Sequence, residues 1–324
     1  MVTEILVQLA VFAVSLVVLM KAADGVIRQA IAAAELLGLS ELVAGFVLVS
    51  VATALPELTI STEAALKGAP GVAVGTVFGS IMANLLFILG IVAIVGGIRV
   101  GRKSIPALVR LLFAISVVSL LLLFLGAGSY TGFALLLVFV AYVYTLVREK
   151  FVLSEILFSF NFGAGVSGLL SKYQSIAKTL VLLLVGIFIV VLSSNFLVDS
   201  SVKLAVFAGV PTFVIAATIV AVGTSLPELS VALAAVRRGH GHLALGNLVG
   251  SSITDLTLVL GTAALFTPIA PSLAVNSFLV MAAVIASLLL WYLIEVNHKL
   301  ARREGIILLA AYFGFIVLML SKAV

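Results

Sequence analysis

Ten stretches of this 324-residue chain run almost free of charge for long enough to cross a bilayer: residues 3–22, 42–66, 72–96, 106–126, 130–147, 178–200, 211–236, 243–266, 273–295 and 304–321. A helix needs ~20 apolar residues to span ~30 Å of hydrocarbon. A segment in lipid must satisfy its own backbone, which helices do. Ten such runs joined by short connections leave little chain for a soluble domain. Hydrophobic residues make up 64% of the sequence and charged ones 10%, too few polar side chains to clothe a water-soluble surface. The expected fold is therefore an all-α membrane protein of ten transmembrane helices.

The charges report orientation. With the N-terminus outside, fifteen Lys and Arg fall on or near the cytoplasmic side. Only Lys67, Lys203 and Lys322 fall outside, which accounts for all eighteen. The net charge of +5 is thus spread in short clusters between apolar runs and is not a nucleic-acid-binding surface. Glu4 is the only charge ahead of Lys21, so the first run reads as a retained helix and not a cleaved leader. The longest connection, from Arg148 to Lys178, is expected to be a cytoplasmic loop. Cysteine is absent, which excludes disulfides and thiolate metal sites. His240, His242 and His298 are expected in solvated loops.

Two segments repeat. Val51-Ala-Thr-Ala-Leu-Pro-Glu-Leu58 matches Val222-Gly-Thr-Ser-Leu-Pro-Glu-Leu229 at an offset of 171 residues. The offset continues without a gap: Gly75 with Gly246, Gly79 with Gly250, Ser80 with Ser251, Gly90 with Gly261, and Asn84 with Asp255. Asp24 and Arg28 match Asp199 and Lys203 more weakly at 175, and each pair is read as an i, i+4 helix pair. The chain divides into a first repeat (1–150), a linker (151–177) and a second repeat (178–324). Five spans per half is odd, so the halves must sit oppositely in the membrane. That is the inverted-repeat design of secondary transporters, whose sites lie near the midplane.

Glu57, Glu228 and Asp255 fall within spans, where one carboxylate costs ~2.5–3.5 kcal/mol even on lenient insertion scales. No basic residue lies at comparable depth in spans two, three, seven and eight. A bound cation or a proton is what remains to neutralise them. Pro56 and Pro227 have no N–H, so the carbonyls of Ala52 and Gly223 lose helical partners and helices 2 and 7 are expected to break. Carboxylates, hydroxyls and freed carbonyls make an all-oxygen set suited to Ca²⁺ and Na⁺. The glycines around Ser80 and Ser251 also suit close helix packing. Trp291 and Tyr292 read as interfacial anchors.

At this point the sequence resembles the cation/Ca²⁺ exchanger superfamily, in its prokaryotic sodium/calcium exchanger branch. The resemblance rests on Gly223-Thr-Ser-Leu-Pro-Glu-Leu229 followed by Gly246-Asn-x-x-Gly-Ser251. It implies that Glu57 and Glu228 are central Ca²⁺ ligands, completed by the backbone carbonyls of Thr53 and Thr224. It implies flanking Na⁺ sites from Ser50, Thr53, Ser80 and Glu228 on one side, and Ala221, Thr224, Ser251 and Glu57 on the other. Ser50 and Ala221 would offer carbonyls, and Asn84 and Asp255 would line the middle. Ala52 and Ala54 stand where the second repeat has Gly223 and Ser225, one hydroxyl fewer.

The expected function is Ca²⁺/Na⁺ antiport by alternating access in a cell membrane. The expected protein is a non-enzyme with no cofactor and no obligate protein partner. The alternatives are a Ca²⁺/H⁺ antiporter, a passive cation channel and, more remotely, an intramembrane protease whose Gly-x-Gly-Asp signature is missing. Gly-Asn-x-x-Glu, typical of the proton-coupled branch, does not replace Thr-x-Leu-Pro-Glu here.

Overall fold

The apolar runs fold as helices, as a backbone without water requires. The computed structural model describes residues 2–37, 41–68, 70–100, 104–125, 128–150, 166–207, 225–267 and 274–323. The first half comprises α1 (Val2–Leu37), α2 (Glu41–Ala44), a π-helical stretch Gly45–Ser50, α3 (Val51–Thr53), α4 (Leu55–Leu66) and α5 (Pro70–Met82). A second π-helical stretch, Ala83–Ile88, leads into α6 (Leu89–Val95), β1 (Ile98–Arg99), α7 (Ser104–Leu125) and α8 (Ser129–Lys150). The second half comprises α9 (Val166–Phe207), α10 (Leu226–Arg237), α11 (Gly241–Thr254), π-helical Asp255–Val259 and α12 (Leu260–Phe266). It closes with α13 (Ala274–Asn297), β2 (Lys299–Leu300) and α14 (Arg302–Ala323).

Among the described residues, five helices are long and apolar enough to cross a membrane: Thr3–Leu37, Ala73–Val95, Gln174–Leu197, Gly241–Phe266 and Phe278–Asn297. A sixth arises if Gly45–Thr53 and Leu55–Thr62, which meet at 43°, count as one span. Helices α7, α8 and α14 have 22 residues each and overlie three more of the expected runs. Of the run 211–236, only the part from residue 225 is described. Helix α9 begins at Val166, so residues 166–177, expected in a loop, are helical. No proline stands between residues 166 and 177, so nothing there withholds an N–H from the helix.

The repeat is visible in the backbone. Adding 171 to the ends of α4 gives those of α10, and adding it to α6 gives α12; α5 and α11 start at the same offset. Ala54 (φ −79°, ψ 0°) and Ser225 (φ −96°, ψ 11°) both take the sparsely populated bridge conformation ahead of their Leu-Pro-Glu. The turns after α4 and α10 close with Gly68 (φ 70°) and Gly239 (φ 84°), again 171 apart, where a side chain would be strained.

The two halves interleave. The stretch Gly45–Ser50 packs on α11, α7 on α13, α8 on α12 and α6 on α14, while α1 runs along α9. Two crossings are related by the repeat. At one, a Cβ on Gly305 would lie 2.6 Å from the Gly90 carbonyl; at the other, a Cβ on Gly132 would lie 2.6 Å from that of Gly261. Only glycine allows backbones this close. One continuous apolar core, including Ile27, Phe46, Phe78, Leu112, Leu245 and Leu290, draws on both halves. The strands form a two-residue antiparallel ladder pairing Ile98 with Leu300 and Arg99 with Lys299, which ties two connections together at one end of the bundle.

Asp24 does not pair with Arg28 on its own helix. Its Oδ1 accepts a hydrogen bond from Nε of Arg238, beyond α10, at 3.0 Å. The helical spacing allowed a local pair, and the approach of α1 to α10 supplied a better-placed guanidinium. His242 is likewise in the first turn of α11 and not in a loop. Trp291 lies part-buried with its ring 5.4 Å from that of Phe113, and its Nε1 donates to Glu295 at 3.4 Å.

Candidate functional site

Helices α4, α5, α10 and α11, with the π-helical stretches that follow α5 and α11, carry most of the residues of the candidate site. Asn84 and Asp255 each lie fourteen residues from the start of their long helices, α5 and α11, about 21 Å along the axis at 1.5 Å per residue. Each sits at the start of a π-helical stretch, Asn84 as its second residue and Asp255 as its first. Such a stretch widens the helix by one residue per turn and is frequent at functional sites. Glu57 and Glu228 are the third residues of α4 and α10. A proline at the second position of a helix is tolerated, because the first-turn N–H groups have no helical acceptor in any case. The Leu-Pro-Glu sequence therefore starts each helix and presents a glutamate in its first turn.

The side chains that converge there are out of reach of bulk water. Glu57, Glu228, Asp255 and Ser251 are 1% exposed, Ser50, Thr53 and Asn84 are fully buried, and Ser80 is nearly so. Both carboxylate oxygens of Glu57 and of Asp255, Oε2 of Glu228 and Oδ1 of Asn84 have no hydrogen-bond partner. A buried unpartnered polar atom costs ~1–3 kcal/mol, and more if charged. The carboxylates are close enough to repel one another as anions: Glu57 interacts with Glu228 and Asp255, and Asp255 with Glu228. Among the described residues no lysine, arginine or histidine is buried, so no basic side chain compensates them.

The hydroxyls bridge the two repeats. Thr53 Oγ1 lies 3.5 Å from Ser251 Oγ, across the interface between first and second half, and also faces Glu228. Ser80 faces Asp255 and accepts from Asn84 Nδ2 at 3.4 Å. The Ser50 hydroxyl donates to the Phe46 carbonyl. The Ser50 carbonyl accepts from Ala54 N at 3.0 Å and from Thr53 Oγ1 at 3.3 Å, so both its lone pairs are engaged. Thr224 and Ala221 lie outside the described residues. No three His, Asp or Glu side chains among the described residues gather tightly enough to hold a metal ion by themselves. Hydroxyl, amide and carbonyl oxygens would have to complete any coordination shell, as hard cations accept.

Sequence reasoning passed over part of this inventory. Asn247 is fully buried with both amide atoms unpartnered, as are the hydroxyls of Ser61, Ser225 and Thr254. Asn247 stands inside the Gly-Asn-x-x-Gly-Ser sequence, which was the available signal; Ser61 and Thr254 carried none. Among the glycines around Ser80 and Ser251, Gly250 lies close against a neighbouring segment. A Cβ there would lie 2.6 Å from Phe46 Cδ2 and 2.8 Å from Ser50 Oγ. Gly75 and Gly79 meet no described atom within 4 Å. The repeat carries Phe46 and Ser50, the neighbours of Gly250, to positions 217 and 221, outside the described residues.

Comparison with known proteins agrees with this geometry. Residues 7–148 and 178–321 match the model of the sodium/calcium exchanger protein family. The chain is 30% identical to sodium/calcium exchanger MaX1 of Methanosarcina acetivorans, over 97% of this chain and 99% of that one. It is 30% identical to inner membrane protein YrbG of Escherichia coli, over 95% and 94%. The solved structure of the sodium-calcium exchanger NCX_Mj superposes with a TM-score of 0.81 at 29% identity, covering 97% of this chain and 99% of that one. The full-length family match, the shared fold and the paired carboxylates together establish that this membrane protein belongs to the sodium/calcium exchanger family.

Proposed function

We propose that this chain exchanges Ca²⁺ for Na⁺ by alternating access, at a midplane site shared by two inverted five-helix repeats. The observation that carries the reading is the set of buried, unpartnered oxygens on Glu57, Glu228, Asp255 and Asn84, with no buried base among the described residues to neutralise them. Glu57 and Glu228 hold Ca²⁺ between the helix breaks, with the Thr53 and Thr224 carbonyls. Na⁺ takes flanking positions built on Ser50, Thr53, Ser80 and Glu228, and on Ala221, Thr224, Ser251 and Glu57. Asn84 and Asp255 line the space between. Because the Ser50 carbonyl is engaged by Ala54 N and the Thr53 hydroxyl, the first flanking position requires Thr53 to turn away, toward Ser251 or Glu228.

Both ions draw on the same carboxylates, so loading by one excludes the other. The empty site carries uncompensated negative charge, which disfavours its movement through the apolar core and suppresses leak. The α1 and α9 pair, which packs mainly against itself, slides across the α10 and α11 core to expose the site to either side. If three Na⁺ replace one Ca²⁺, one charge moves per cycle, and 100 mV biases it by ~2.3 kcal/mol. The chain lies in a cell membrane with its N-terminus outside and the connection after α8 in the cytoplasm. The distribution of basic residues supports that orientation.

A proton would satisfy the same oxygens, so Ca²⁺/H⁺ antiport is the second reading. The test is ⁴⁵Ca²⁺ uptake into Na⁺-loaded proteoliposomes diluted into Na⁺-free buffer, beside vesicles carrying only a proton gradient. Uptake driven by the Na⁺ gradient is expected, and uptake driven only by protons would replace this reading with the second. Glu57→Gln and Glu228→Gln should each abolish exchange while the protein still elutes as a folded species. Full exchange in both variants would remove these carboxylates from the mechanism.

A further inference from the structure

At one end of the bundle, away from the carboxylates, three connections enclose a cavity of about 450 Å³. Its walls are Gly96 to Arg99 after α6, Val236, Gly239, Gly241 and His242 around the α10–α11 turn, and Lys299 to Ala301 between α13 and α14. It therefore lies where the first half, the second half and the two-residue β ladder meet. That volume is within the range of small-ligand sites.

The lining is one-sided in charge. Arg99, His242 and Lys299 line the cavity, all exposed, and among the described residues no acidic side chain does. Glu304, behind the wall residue Ala301, is buried and accepts from Ala301 N at 3.0 Å, and Glu295 accepts from Trp291 Nε1. The Arg99 carbonyl accepts from His242 Nε2 at 3.0 Å, which fixes the imidazole across the cavity rim. The register of the ladder sets Arg99 directly opposite Lys299. Strand partners of like charge repel, and an anion between them relieves the repulsion. The same end carries Arg237, Arg302 and Arg303, all exposed, and Arg238, which pairs with Asp24.

The depth suits a membrane surface. Trp291 lies six residues, about 9 Å of helix, before the end of α13 at Asn297, and its amphipathic ring is of the kind that favours the headgroup level. Basic pockets between transmembrane helices at this level take phosphate-bearing headgroups.

We propose that this cavity binds a phosphate anion, presented as the headgroup of an acidic phospholipid, through Arg99, His242 and Lys299. An occupant there bridges residues of both halves, beside the β ladder and the bond from His242 to the Arg99 carbonyl, and so stabilises their packing.

The test titrates purified, delipidated protein in neutral detergent by calorimetry with dioctanoyl phosphatidylglycerol, dioctanoyl phosphatidylcholine or inorganic phosphate. Saturable binding of phosphatidylglycerol but not phosphatidylcholine is expected. It should weaken about 25-fold in Arg99→Gln/Lys299→Gln, at ~1 kcal/mol per cation. It should persist in Lys203→Gln, an exposed cation on another helix that controls for net charge. Inorganic phosphate binding as tightly as the lipid, with the same loss in the double variant, would assign the site to free phosphate and overturn the lipid assignment. No saturable binding of either, or binding unchanged in a double variant that elutes as the folded species, would overturn the site itself.

Discussion

Replacing Gly250 by alanine tests whether the central helices are as close as described. The new Cβ would lie 2.6 Å from Phe46 Cδ2, 2.8 Å from Ser50 Oγ and 3.0 Å from Phe46 Cα. Ordinary contact begins at 3.4 Å, so the ring must retreat by 3.4 − 2.6 = 0.8 Å and the backbone by 3.4 − 3.0 = 0.4 Å. Neither has room. Phe46 is fully buried, with its ring edge-on to Tyr142 at a centroid distance of 4.5 Å. Overpacking of this kind costs ~1–3 kcal/mol. Exchanging a mid-helix glycine for alanine also contributes a propensity gain of ~0.5–1 kcal/mol. Gly314→Ala, in α14 with nothing described within 4 Å, carries the propensity gain alone. The difference between the two variants is therefore the contact cost, and it corresponds to a roughly 5- to 150-fold change in the unfolding equilibrium. Thermal unfolding in detergent at fixed Na⁺ and Ca²⁺ measures it, with exchange in proteoliposomes alongside, because Ser50 must move with Phe46. Equal unfolding midpoints for Gly250→Ala and Gly314→Ala would refute the close approach.

The repeat-related crossings make a paired prediction. Gly132→Ala and Gly305→Ala each drive a Cβ to 2.6 Å from a facing backbone carbonyl, so both should destabilise by about 1–3 kcal/mol, again relative to Gly314→Ala. A marked effect at one crossing only would break the structural symmetry. The ion pair of Asp24 with Arg238 has side chains 46% and 35% exposed, so Asp24→Asn should lower stability by no more than about 1 kcal/mol, and less at high salt. A salt-independent loss well above that, in the same unfolding assay, would mean that Asp24 does more than pair. Phe46→Ala removes a fully buried ring and should cost about 3–5 kcal/mol, measured by the same unfolding midpoint, with a neutral result refuting its place in the core.

Much of this molecule is written locally. Run length and apolarity specify helices, because a backbone in lipid can satisfy itself in few other ways. Leu-Pro-Glu marks where a helix stops and restarts, since proline withholds an N–H wherever it stands. The 171-residue offset, read from a few matched letters, reappears in the bounds of α4 and α10, in the bridge conformations of Ala54 and Ser225, and in the positive φ of Gly68 and Gly239. Glu57, Glu228 and Asp255 were identifiable because a carboxylate in an apolar run is costly whatever its neighbours are.

Pairwise facts were not legible in this way. Only the packed structure pairs Asp24 with Arg238 over Arg28, brings Thr53 to Ser251, and commits the Ser50 carbonyl to Ala54 and Thr53. The π-helical stretches around Asn84 and Asp255 leave no mark in residue type, since one extra residue in a turn is paid for by contacts with other helices. Asn247, Ser61 and Thr254 look like ordinary small polar residues until the fold buries them without partners. The sequence by itself determined that the chain is mostly apolar helix, that its two halves repeat at a fixed offset and which charges are out of place in the apolar runs, because those follow from short-range bonding and from solvation. Which helices meet, which hydroxyl faces which carboxylate and where a cavity opens between connections were decided by tertiary packing, because each depends on atoms far apart in the chain.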